Sequence, residues 1–266
     1  LSVIDPQTNA VDPNGIVPSV NRPAAIGVDE ATNRIYVGGV ATINNAQSPS
    51  TFMPGGITVV DGNNNFATTQ ISFAGVPVAT TVPATPAGAA GVANGGMVVN
   101  PATGRVYFRL ANANAPLAVL NGTTVSTVPA ITGTIATYGI GALGAANRVY
   151  VLTTAIFDSQ GNLVTPARLH VLDGSNDTVI TSVDIGDTTF NQPALQPIAV
   201  DATHQRVYVL NHDEGKLVVV DGATNAKLAD IQLLSEPTTI AVNETSNRIY
   251  VYAGEDNSLS IVDGVT

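Results

Sequence analysis

One stretch of the chain, Gly139-Ile-Gly-Ala-Leu-Gly144, has the glycine spacing of a dinucleotide-binding loop. That chemistry needs a helix N-terminus just after the loop to receive a pyrophosphate. The residues that follow, Ala145-Ala-Asn-Arg-Val-Tyr-Val151, read as a strand, so no cofactor is expected there. The histidines His170, His204 and His212 fall on a strand, a turn and a loop, too scattered for one metal site or a triad. Oxygen-rich loops suit a hard cation better. Asp158, Asp213, Glu214, Glu255 and Asp256 are the calcium candidates, although no full twelve-residue calcium loop is present. Asp61, Asp173, Asp221 and Asp263 each precede Gly and read as turn-formers rather than as a ring of carboxylates. The chain has no Cys, hence no thiolate ligand, Cys nucleophile or disulfide. It has no P-loop, nucleophile elbow or His-Glu-x-x-His. The expectation is a protein that is not an enzyme and holds no cofactor, with calcium as the one metal to test.

The elements that carry these residues come from a repeat. Five segments align: Ile26-Gly-Val-Asp-Glu-Ala-Thr-Asn-Arg-Ile-Tyr-Val37, Met97-Val-Val-Asn-Pro-Ala-Thr-Gly-Arg-Val-Tyr-Phe108, Ile140-Gly-Ala-Leu-Gly-Ala-Ala-Asn-Arg-Val-Tyr-Val151, Ile198-Ala-Val-Asp-Ala-Thr-His-Gln-Arg-Val-Tyr-Val209 and Ile240-Ala-Val-Asn-Glu-Thr-Ser-Asn-Arg-Ile-Tyr-Val251. Each is followed by a phrase ending in Asp-Gly or Asn-Gly, at Gly62, Gly122, Gly174, Gly222 and Gly264. The third copy departs at Leu143, where the others carry Asp or Asn. In each copy an apolar strand a ends at a residue able to hold a tight turn through its side chain. Strand b alternates as Arg-Ile/Val-Tyr-Val/Phe, strand c runs into the Asp-Gly turn, and a more polar strand d follows. The arginine that opens strand b is expected to pair with the Asp or Asn that closes strand a. Such a meander is one blade, and a period near 42 residues makes the chain an all-β propeller of four-stranded antiparallel blades.

These repeats resemble the YVTN-type β-propeller repeat of bacterial and archaeal secreted or surface proteins, over nearly the whole chain outside two insertions. The resemblance implies a propeller fold and a secreted or surface setting, since that family includes surface-layer-associated proteins. Its relatives among lactonase-like and quinoprotein-like propellers supply two enzyme alternatives. One is a metal-dependent hydrolase with a divalent ion in the central channel. The other, a quinone-cofactor oxidoreductase, is disfavoured because the chain has no Trp to stack on the cofactor.

The repeat arginines Arg34, Arg105, Arg148, Arg206 and Arg248 are separated by 71, 43, 58 and 42 residues, so the first and third copies carry insertions. The insertions lie at about 40–55, 74–96 and 154–166, between strands b and c or between strand d and the next strand a. Strand direction alternates, so all of them emerge on one face and the short a–b and c–d turns on the other. The first two carry no charged residue. Phe52, Met53, Val76, Val78 and Val82 are therefore the expected interaction residues, for a protein partner or a second copy. At the ends, Leu1–Asp5 and Pro6–Val11 look like a c–d hairpin, while the last copy lacks strand d. Five blades closed by the N-terminal segment is the expectation, with six as the alternative, all within a single domain over 1–266.

Composition limits the partners. The 266 residues are 44% hydrophobic and only 11% charged, with net charge −10, eight Arg and two Lys. That balance argues against nucleic acid and anionic membrane surfaces, and no apolar run is long enough to span a bilayer. The chain begins at Leu1 rather than Met, which reads as a processed or excised chain, and no signal peptide is visible. Asn121, Asn176 and Asn243 open Asn-x-Thr triplets near turns, a pattern that chance also produces. The expected function is a non-enzymatic binding or assembly scaffold of the cell exterior: a surface array, filament or adhesion component, with a periplasmic setting as the variant.

Overall fold

The computed structural model describes residues 2–4, 7–8, 10–16, 23–39, 42–44, 51–53, 56–73, 92–110, 117–128, 131, 137–189, 196–233 and 236–264. Four sheets are antiparallel meanders in the order a-b-c-d. Blade 1 comprises Pro23–Asp29, Arg34–Gly39, Gly56–Asp61 and Ala67–Ser72. Blade 2 comprises Val92–Val99, Val106–Leu110, Leu117–Asn121 and Thr124–Thr127. Blade 3 comprises Thr137–Leu143, Arg148–Thr153, Ala167–Asp173 and Val179–Gly186, and blade 4 Ile198–Asp201, Arg206–Asn211, Lys216–Asp221 and Lys227–Gln232. The fifth sheet has three strands, Thr239–Asn243, Arg248–Ala253 and Ser258–Asp263. One 3-10 turn, Gly144–Ala146, is the helical piece among the described residues.

The turns between a and b share one backbone feature in every copy and, in all but the third, a side-chain cap as well. The residue before the repeat arginine has positive φ: Asn33 53°, Gly104 66°, Asn147 48°, Gln205 52° and Asn247 49°. Gly and Asn tolerate this left-handed conformation best. The residue closing strand a caps the turn: Asp29 Oδ1 accepts the Ala31 and Thr32 amides, and Asn100, Asp201 and Asn243 accept in the same manner. Asp61, Asp173 and Asp221 likewise accept amides of their own c–d turns, as expected for turn-formers. The glycine after them has a further reason. The Gly62, Gly174, Gly222 and Gly264 amides donate to the carbonyls of Asn33, Asn147, Gln205 and Asn247 at 2.8–3.0 Å. A Cβ on Gly174 would lie 2.2 Å from Asn147 Oδ1 and on Gly264 2.3 Å from Asn247 Oδ1. Close approach of the two turns, not a special φ, favours glycine at these positions.

Blades pack face to face through alternate residues of b and c. Tyr36, Ile57 and Phe73 of blade 1 meet Met97, Val106 and Phe108 of blade 2, with Phe73 and Phe108 stacked 5.3 Å apart. Tyr107, Leu117 and Val119 meet Val149, Val151 and Leu172 at the next seam. Tyr150, Leu169 and Val171 meet Val207, Val209 and Val218, and Tyr208 and Leu217 meet Ile240, Ile249 and Val251. Leu143, the departure in the third copy, is fully buried, and a Cβ on Gly222 of blade 4 would lie 2.5 Å from its Cδ2. It trades a turn cap for a seam contact.

The arginines correct the expectation of pairing with strand a. Arg105 donates to both carboxylate oxygens of Asp177 in the next blade, at 3.0 and 2.8 Å. Arg206 donates to Asp221 of its own strand c at 2.7 Å, while Asp201 is occupied by His204.

Strand a of each blade lies beside strand a of the next, from blade 1 to blade 5. The two ends of this row differ from its interior. Ser2–Ile4 pairs with Val11–Ile16, not with Ser258–Asp263, so the expected closing pair is not among the described pairings. Ile26 and Val28 on blade 1, and Leu259 and Ile261 on blade 5, are each more than half exposed. Their counterparts Met97, Val99 and Leu217 are buried at internal seams.

Candidate functional site

The face that carries the b–c loops is where the insertions form structure. In the first copy, Thr42–Asn44 pairs with Thr51–Met53, which places Phe52 and Met53 on the second strand of a small hairpin. Val76, Val78 and Val82 lie outside the described residues. The second insertion ends earlier than its spacing suggests, because Val92–Val99 is already strand a of blade 2.

In the third copy, Ile156–Phe157 pairs with Leu163–Thr165. The intervening Asp-Ser-Gln-Gly-Asn closes on itself. Asp158 Oδ1 accepts the Gln160 and Asn162 amides, Oδ2 accepts Asn162 Nδ2, and Gly161 supplies φ 83°. Asn162 is the main cause that holds the Asp158 carboxyl below its ordinary pKa. This turn holds three apolar side chains in solvent: Phe157 (37% exposed), Leu163 (43%) and Val164 (62%). The sequence points to Asp158 here, whereas the side chains presented to solvent are those of its apolar neighbours. The signal was present as apolar residues flanking a short polar turn.

Beside it, the b–c loop of blade 4 ties down the connection leaving blade 3. The buried Asn211 donates to the Ile185 carbonyl at 2.8 Å and accepts the Glu214 amide. Asp213 Oδ2 accepts both the amide and the hydroxyl of Thr189, at 2.8 and 2.9 Å. Glu214 pairs with Lys216, which holds its carboxyl below the usual range. His212 is buried, with Nδ1 3.0 Å from the Pro237 carbonyl and Nε2 3.6 Å from Glu236. Glu255 and Asp256 sit apart on the exposed b–c turn of blade 5. The five calcium candidates thus occupy three separate loops. No three His, Asp or Glu side chains gather in a metal-binding group among the described residues.

The remaining histidines are also dispersed. His170 Nδ1 lies 2.8 Å from Ser182 Oγ and its Nε2 3.2 Å from Thr153 Oγ1, and burial pushes its pKa down. His204 lies on the short-turn face, 2.8 Å from Asp201 Oδ2. The glycine triplet has a packing role. Gly139 and Gly141 line a cavity of about 420 Å³ between the inner strands of blades 2 to 5. A Cβ on Gly141 would stand 2.8 Å from Val200, and on Gly144 2.9 Å from Pro101. Inner strands converge toward the axis, and glycine lets them do so. The wall of this cavity is Gly, Ala, Val and Ile with Met97 and Pro197, and Gln196 and Thr239 are its polar side chains.

No protein-family model matches the chain, and no curated protein matches it in sequence. Solved structures do. The chain is similar to one in the crystal structure of a nidogen/laminin complex, with TM-score 0.54 and 11% identity over 91% of this chain and 75% of that one. It is also similar to two structures of AztD from Citrobacter koseri, with TM-scores 0.49 and 0.47 and identities of 13% and 16%. These cover 83% and 82% of this chain, which spans about half of theirs, 49% and 48%. The repeated blade-like sheets and the nidogen match together define a β-propeller.

Proposed function

We propose that the chain is a non-enzymatic propeller of the cell exterior that binds protein, including further copies of itself, through its insertion face. It would serve as a component of a surface array, filament or adhesion structure. The observation that carries this reading is the hairpin 156–165, whose turn is internally hydrogen-bonded while Phe157, Leu163 and Val164 face solvent. Apolar side chains held out on a rigid support are costly unless a partner covers them. The cavity between the inner strands supports the same reading, because its wall is built for packing rather than for acid–base work. In the nidogen structure the resembling chain belongs to a complex with laminin, so the fold has precedent in protein complexes.

The finer architecture belongs to this proposal. Five blades form the body, and its open side lies between blade 5 and blade 1. The fifth sheet has three strands where the other blades have four, so a strand from the N-terminal segment or from a neighbouring copy would complete it. The test is mass by light scattering, for the intact chain and for one in which residues 74–91 are replaced by a short Gly-Ser link. Association that rises with concentration and weakens in the shortened chain is the expected result. A monomer at every concentration in both would overturn the proposal.

A further inference from the structure

The short-turn face carries a second feature, independent of the insertion face. Where blades 2 and 3 meet, the turn Asp173–Thr178 inserts over strand b of blade 2. The Asp177 carboxylate sits on Arg105 and accepts the Tyr107 hydroxyl at 2.6 Å, while the Gly174 and Ser175 carbonyls also accept from Arg105. Where blades 1 and 2 meet, the corresponding turn is two residues shorter, since Asn121 pairs directly with Thr124. In the place of the longer turn is an open cavity of about 420 Å³. Arg34 and Tyr36, the counterparts of Arg105 and Tyr107, line it together with Asp29, Asp61, Thr69 and Thr103. Arg34 contacts the Tyr36 hydroxyl and has no ion pair among the described residues.

We propose that this cavity is a binding site for an Asp-bearing reverse turn of a partner protein. The partner's carboxylate would be seated on Arg34 and Tyr36 as Asp177 is seated on Arg105 and Tyr107. The molecule thus supplies its own template for the ligand. A turn suits the wall better than a bare anion. Asp29 and Asp61 would repel a lone carboxylate, but a turn also brings N–H donors that these acceptors can use. Asp29 also accepts two amides and the Thr32 hydroxyl of its own turn, and Asp61 accepts the Asn63 amide, and neither carboxylate forms an ion pair with Arg34 among the described residues. The volume lies in the range of ligand pockets.

The probe is the peptide acetyl-Gly-Ser-Asn-Asp-Thr-amide, a copy of residues 174–178, titrated into the intact chain and followed by amide NMR. Sodium acetate and glucose are run in parallel. Saturable shifts at Gly104, Gly122 and Thr123 are expected from the peptide and not from acetate or glucose. Replacing the peptide's Asp by Asn should weaken binding about tenfold, the worth of one charge-assisted contact. Tyr36→Phe keeps the ring and should weaken binding several-fold, and Arg34→Gln should abolish it. In a second variant, residues 121–124 are replaced by the six-residue sequence of 173–178, which should fill the site from within, raise Tm and remove peptide binding. No saturable shift, equal shifts from acetate or glucose, equal binding of the Asn peptide, or undiminished binding by the grafted variant would overturn the proposal.

Discussion

Arg105 and Asp177, 72 positions apart, form a bidentate ion pair that joins blade 2 to blade 3, and both side chains are largely buried. The equivalent Arg206 bonds within its own blade. The difference follows from neighbouring residues. Blade 2 carries Asn100 and Asn121 at the ends of strands a and c, where blade 4 carries Asp201 and Asp221. Lacking a carboxylate in its own blade, Arg105 takes one from the next. Arg105→Met keeps the apolar stem and removes the charge, which leaves Asp177 buried without its partner. The expected cost is about 3 kcal/mol. Arg206→Met, at a more exposed pair, should cost about 1 kcal/mol or less. Chemical denaturation of the two variants checks the ranking, and equal costs would contradict it.

Asn225 occupies in blade 4 the turn position that Asp177 occupies in blade 3, with φ 61° against 63°. Its Oδ1 and the Nε of Arg148 are buried without a hydrogen-bond partner. Asn225→Asp should therefore create a second staple of the Arg105–Asp177 kind and stabilise by about 1 kcal/mol. Thermal unfolding reads this as a raised Tm, and a lowered Tm would show that Arg148 does not reach the site.

Leu143 gives the opposite lesson. Restoring the repeat residue with Leu143→Asn would return a turn cap, worth about 1 kcal/mol. It would also remove a fully buried side chain from the seam with blade 4, at about 2–5 kcal/mol. Net destabilisation is expected, and a more stable variant would refute the seam role.

Stability should form a plateau between about pH 7 and pH 9. The Asp221 carboxyl is held low first by the Thr224 amide, Asp173 by the Ser175 amide, and Glu214 by Lys216. Depressed carboxyls stabilise fully above their unfolded pKa, near 3.8 for Asp, and this is lost as pH falls through the folded values. His170, held below 6.5 by burial, adds to the loss on the acid side. Burial pushes Tyr150 up to about 12 and raises Tyr107 also. A raised pKa stabilises fully below the unfolded value of 10.0, so the alkaline loss runs from there toward about 12. Tm measured across this range checks the shape. Asp221→Asn should flatten the acid limb, and an unchanged limb would contradict its assignment.

The sheets were legible because each is coded locally. Arg-Val-Tyr-Val alternates with period two, and the left-handed residue before each repeat arginine, Asn in three of the five copies, marks a turn. The face that bears the insertions followed from strand alternation alone. What joins the blades was not legible. Arg105 with Asp177 and Tyr150 with Gly222 are about seventy residues apart, and no periodicity connects them. Asp-Gly was recognised as a turn signal, yet its glycine answers to the neighbouring a–b turn across the blade. The apolar hairpin tip is masked in the sequence by Asp158, which reads as a cation ligand although its oxygens serve the turn.

Sedimentation of the intact chain and of the Phe157→Ser, Leu163→Ser, Val164→Ser triple variant, at low and high salt, tests the central claim most directly. Because apolar burial would drive association, the intact chain should self-associate to a similar degree at both salt concentrations, while the variant should remain monomeric with an unchanged circular dichroism spectrum. Undiminished association in the variant, or association abolished by salt, would contradict an assembly surface built on this hairpin.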